Sequence, residues 1–152
     1  MVTTTIGGLM AVQTVLDKLK GEKCGAAADG IPMLDAYKIM RLTNRIAPEV
    51  AAARESQNKL IRDFGVGPDS NGNYRVPMTI DGDAAPDGSR PQVANPAWAE
   101  YVSAVQGLHA GQVDLEEVTP IARSVIEKAK TLMVADLFTL DPFLRAEEEE
   151  AK

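Results

Sequence analysis

From Pro32 to Phe64 the chain runs without a glycine until Gly65. Pro32 suits the first turn of a helix, where its missing N–H removes no hydrogen bond, and Gly65 is a natural C-terminal stop. Written as heptads, one core position falls on Ile39, Ile46, Ala53 and Leu60, the other on Ala36, Thr43, Val50, Gln57 and Phe64. The seam lasts about four heptads. At a rise of 1.5 Å per residue this helix is about 50 Å long and cannot cover its own seam. Pro48 deletes the hydrogen bond to the Asn44 carbonyl and crowds that turn, so a kink or break is expected across residues 44–48. With Thr43 and Gln57 polar, the seam favours a bent helical hairpin over a straight zipper.

Residues 95–111 are the expected return arm. Asn95 is a good N-cap and Pro96 a good first helical residue, and Trp98, Val102, Val105 and Leu108 form a stripe at helical spacing with Tyr101 beside it. Between the arms, Asn71-Gly72 is a favoured turn, and residues 73–80, broken by Pro77, are β-prone, which predicts a short β-hairpin or extended tip. The breakers across residues 81–96 predict a mobile surface loop within a flexible tip, 66–95.

Outside the arms, Leu9, Val12, Leu16 and Leu19 mark an amphipathic helix over residues 6–20, and the glycine- and alanine-rich 21–30 reads as a loop. Residues 112–118 alternate Val113 and Leu115 with acids, as a short strand does. Thr119-Pro120 is expected to cap a helix with Ile121, Val125, Ala129 and Leu132 on one face, and Asp141 to cap a last short helix from Pro142. Glu147 to Glu150 read as a solvated acidic tail over 145–152. The expected organisation is one mainly α domain, 1–152: an antiparallel helical hairpin (32–110) on a small helical base formed by residues 6–20 and 113–144.

The chemistry-bearing residues are few. The cluster Asp69, Asn71 and Asn73 invites a calcium reading, but an EF-hand frame from Asp69 puts Gly72 at position four and Ile80 at position twelve, and one from Asp81 ends on Gln92. Both frames lack the closing acid, so turn chemistry is the expectation. Cys24 is the only cysteine and His109 the only histidine, which leaves no intrachain disulfide, thiolate cluster or multi-histidine site to draw. Cys24 reads as an unactivated loop residue and His109 as half-exposed near a helix C-terminus. No catalytic, cofactor or metal residue is predicted. A net charge of -6 disfavours nucleic acid and anionic lipid. There is no basic segment followed by an apolar run at the N-terminus, and no apolar run approaches the roughly 20 residues that span a bilayer, so no membrane partner and no standard secretion are expected. Proteins, including further copies of this chain, are the expected partners, with Trp98, Tyr101, Val105, Leu108, Tyr74, Phe138 and Phe143 as candidate contact residues.

The run TIGGLMAVQTVLDKL, then IPMLDAYKIMRLTNRIAPEVAAARESQNKLIRDFG, DSNGNYRVP, and an aromatic-led helix before QVDLEEVTPI resembles a group of small bacteriophage-encoded proteins of unknown function. The resemblance covers roughly residues 5–121 by pattern. It implies a prefoldin-like antiparallel helical hairpin on a small base, and it carries no catalytic residue onto this chain. The Gly/Ala-rich loop 21–30 and the Pro/Gly-rich insertion 81–94 depart from the pattern. The implied role is a non-enzymatic phage structural or assembly protein, homo-oligomeric, in the host bacterial cytoplasm or the virion. The alternative is an inhibitor that binds a host protein.

Overall fold

A computed structural model of the chain describes residues 1–20 and 31–145. The Cys24 loop and the acidic tail beyond Arg145 lie outside the described residues. The elements follow as Val2–Thr5 (β1), Ile6–Leu19 (α1), Met33–Phe64 (α2), Thr79–Asp81 (β2), Gln92–Ala94 (β3), Pro96–Ala110 (α3), Gln112–Leu115 (β4), Ile121–Ala122 (β5), Arg123–Glu127 (α4), Val134–Leu140 (α5), a single 3-10 turn at Asp141–Phe143, and Leu144–Arg145 (β6). The described chain is mainly helical. It divides into two compact units, residues 1–51 with 111 onward, and residues 52–110, the boundary falling inside α2.

Each helix end of the first unit has a local cause. Thr5 caps α1, its hydroxyl accepting the Gly8 N–H at 3.0 Å, which satisfies one of the amides a helix start leaves unpaired. The Pro32 carbonyl accepts the Ala36 N–H as α2 begins. The break allowed for at Pro48 is absent, and the proline lies inside a continuous α2. No break occurs, because Pro48 and Asn44 are both on the exposed face. Water can therefore take the freed Asn44 carbonyl, while Ile46 and Val50 stay anchored in the core on the opposite face.

That core takes Ile39, Ile46 and Val50 from the heptad seam and adds Leu42, which lies off both seam positions. Ile39, Leu42, Ile46 and Val50 of α2 pack with Leu9, Val12, Leu16 and Leu19 of α1, and Leu115, Ile121, Ile126, Leu140 and Phe143 complete the cluster. Side chains of Leu size buried this way are worth about 1.5–3 kcal/mol each relative to exposure, before the entropy of ordering them is subtracted. The antiparallel β1–β4 pair sets Val2 opposite Leu115 and Thr4 opposite Val113 on the inner face. On the outer face the Thr3 hydroxyl donates to Asp114 at 2.7 Å. The alternation is the period-2 signature of a half-buried strand.

Residues 121–122 are not the start of a helix. They form a parallel strand pair with Leu144–Arg145, and α4 begins only at Arg123, so Ile121 is buried through sheet pairing. Asp136 ties α5 to α1 by accepting from Lys18 Nζ at 2.8 and 2.9 Å and from the Met133 N–H at 2.8 Å.

In the second unit Gly65 ends α2 where a Cβ would lie 2.9 Å from the Arg75 carbonyl. Val66 and Arg75 then bridge in antiparallel fashion. The segment expected to be a surface loop is paired at its ends: β2 and β3 form an antiparallel hairpin registered Thr79 to Ala94 and Asp81 to Gln92, and the loop between them carries backbone bonds among Ala85, Gly88 and Ser89. Asp87 secures that turn, accepting from the Ser89 N–H and hydroxyl, which is how breaker residues order a loop. Asn95 caps α3, its side chain accepting the Ala97 N–H at 3.1 Å and donating to the Pro77 carbonyl at 2.7 Å. Among the described residues of this unit Ala53 alone is a buried apolar residue.

Candidate protein-docking surface

The Asp69 cluster shows what its polar groups do. The Asp69 carboxylate accepts the backbone N–H of Asn71 at 2.8 Å and of Asn73 at 2.9 Å, while its own carbonyl accepts the Gly72 N–H. Gly72 takes the left-handed conformation such a turn needs, at φ 79°. These amide bonds, that of Asn73 first, hold the Asp69 carboxyl below its usual range. Both amides converge on one carboxylate oxygen, Oδ1, so that oxygen serves the turn itself. Among the described residues no group of three or more His, Cys, Asp or Glu gathers in a metal-binding arrangement.

The candidate contact residues scatter. Trp98, Tyr101, Val105 and Leu108 of α3 are half-buried, with the Trp98 and Tyr101 rings tilted at 5.8 Å between centroids, a favourable aromatic separation. Tyr74 is exposed at the tip, and Phe138 is 70% exposed on α5 beside exposed Met133 and Val134. Phe143 is 1% exposed in the core and offers no contact surface. His109, near the C-terminus of α3, is half-buried with its Nε2 enclosed and without a hydrogen-bond partner among the described residues.

A four-residue exposed apolar surface lies at the start of α2. Met33 is 69% exposed, Leu34 66%, Tyr37 52% and Met40 51%. They fall at i, i+1, i+4 and i+7, so they share one face of the helix, and Met33, Leu34, Tyr37 and Met40 line an apolar groove with Ala36. A second apolar groove adjoins it, where Met40 and Ala36 meet Leu19, Ile31 and Ile39. Along the i+4 row that starts Met33–Tyr37, the next residues are Arg41 and Arg45. Both line a cleft of about 370 Å³ together with Leu42, Val118, Glu116 and Glu117. Glu117 holds a positive φ of 54°, an uncommon conformation for a non-glycine residue.

Reading the heptads for a seam missed this face, because Met33, Tyr37 and Met40 sit off the seam. The available signal was the width of the apolar stripe: between Met33 and Ile46 apolar residues occupy more of the helix circumference than one packed face uses. Among the described residues no helix is long and apolar enough to cross a membrane. No family model, curated protein or solved structure matches the chain.

Proposed function

We propose that the chain is a non-enzymatic protein-docking module that captures a protein partner on the exposed face of α2. The observation that carries this reading is the run Met33, Leu34, Tyr37 and Met40, each more than half exposed on one helical face. Single exposed apolar residues are ordinary, whereas a contiguous apolar patch marks an interaction surface. Methionine suits such a surface because its unbranched thioether adapts to irregular partners. The resemblance to small bacteriophage proteins supplies the setting: a structural or assembly protein in which α2 and α3 act as the arms of a prefoldin-like antiparallel hairpin.

Affinity capture coupled to size measurement tests it. The wild-type chain is expected to elute with a stoichiometric protein partner from infected cells, and Tyr37→Asp/Met40→Asp to lose that partner while keeping its helical circular dichroism. A wild-type chain that elutes alone, or a variant that keeps the partner, overturns the docking face. If purified virions lack the protein and its deletion leaves particle assembly normal, the assembly role falls, and docking onto a host protein is the role that remains.

A further inference from the structure

We propose that Asn71-Gly72 at the tip is a site of spontaneous deamidation and that the turn built by Asp69 holds its rate down. It is the only Asn-Gly step in the chain. Both residues are exposed, and apart from its two chain neighbours no atom lies within 4 Å of the place a Cβ would take on Gly72, so the Gly72 nitrogen has no side chain of its own and no packed neighbour to shield it. Water and hydroxide reach it. The reaction is a ring closure within the chain: base removes the Gly72 amide proton, the nitrogen bonds to Cγ of Asn71, and the side-chain nitrogen takes a proton from water and leaves as ammonia, giving a five-membered succinimide. Water then opens the ring. Addition at Cγ leaves an aspartate in place of Asn71, whereas addition at the former main-chain carbonyl sends the backbone through Cβ as an isoaspartyl link. Either way one water is consumed, one ammonia is released and a carboxylate replaces a neutral amide.

The folded turn opposes the first two steps. The Gly72 proton that must be lost is donated to the Asp69 carbonyl at 2.9 Å, and Oδ1 of Asp69 holds the N–H of Asn71 at 2.8 Å and that of Asn73 at 2.9 Å, on either side of the Gly72 nitrogen. The Asp69 N–H in turn donates to the Asn73 carbonyl at 2.9 Å. With the backbone pinned before and after Gly72, the nitrogen does not swing onto Cγ, so reaction proceeds from the opened turn and its rate scales with the fraction of time the turn is open. The change runs one way. An isoaspartyl link adds a backbone carbon between the two amides that share Oδ1, and an ordinary aspartate sets a second carboxylate beside Asp69, so the modified tip does not close in its original form.

Peptide mapping by mass spectrometry follows the full chain and a synthetic peptide of residues 66–75 through the same incubation at mildly alkaline pH. Conversion at Asn71 is expected in both, faster as pH is raised, and at least about tenfold slower in the chain than in the peptide. Asp69→Ala removes the acceptor that pins both amides and is expected to bring the chain within about threefold of the peptide, whereas Asp69→Asn keeps a side-chain oxygen in place and is expected to stay slow. Equal rates in chain and peptide, or an Asp69→Ala chain as slow as wild type, overturn the control by the turn. A peptide that does not convert at Asn71 overturns the site itself. Circular dichroism of each variant separates an opened tip from an unfolded chain, and the comparison of wild-type chain with peptide decides whatever Asp69→Ala does to folding.

Discussion

Individual side chains divide sharply between holding the fold and presenting it. Ile46 is fully buried while Tyr37, on the same helix, is 52% exposed. Truncating the first leaves a cavity and truncating the second leaves water, so Ile46→Ala is expected to cost about 2–5 kcal/mol and Tyr37→Ala less than about 0.5 kcal/mol, as read by urea denaturation. Comparable costs would mean that Tyr37 is packed rather than displayed. Asp136 adds a pH dependence. The hydrogen bond from Lys18, followed by that from the Met133 amide, holds its carboxyl below the ordinary value of 3.8. A carboxylate depressed in the folded state contributes stability that is present above its unfolded pKa and lost as pH falls through the lower folded value. The melting temperature is therefore expected to drop as pH is taken below 3.8, with Asp136→Asn less stable at neutral pH and flatter across that acid limb. Parallel acid limbs in the two proteins would remove Asp136 from the account.

At the scale of elements, α2 is a helix that tolerates a proline. Inside a helix proline is about 3 kcal/mol less favourable than alanine, and the exposed position of Pro48 lets solvent satisfy part of what it frees. Pro48→Ala is thus expected to stabilise the chain by about 1–3 kcal/mol, a gain that calorimetry would register as a higher melting temperature; a loss would mean that the proline shapes α2 in a way the packing needs. The limits of α2, the cap at Asn95 and the strand Gln112–Leu115 were readable from the sequence because caps and period-2 alternation act within a few residues. The partner of that strand was not, since Val2–Thr5 carries three threonines and its pairing spans most of the chain, and strand propensity is settled by neighbours that only the fold brings near. The two-residue pair Ile121–Ala122 with Leu144–Arg145 is too short to leave any period at all. In the 81–96 segment, breaker residues were read as a surface loop, and Asp87 and Gly88 close a turn within it whose flanking strand pair the breakers did not announce.

At the scale of the molecule, the first unit holds a contiguous core and the second buries one apolar residue, Ala53. Burial in the first unit takes Ile39, Ile46 and Val50 of the heptad seam, together with Leu42, which the heptads left out. The docking face was harder to see because its residues differ from core residues only in which side of the helix they occupy, and that side is decided by where α1 packs. Methionine labels the distinction directly. Oxidative footprinting, read by mass spectrometry on the free chain and on its complex with the captured partner, separates Met33 and Met40 from Met78, which is 64% exposed in the second unit. All three methionines are expected to oxidise readily in the free chain, and in the complex Met33 and Met40 to be protected while Met78 stays reactive. Met33 and Met40 remaining as reactive in the complex as in the free chain would contradict the assignment of this face as the docking surface.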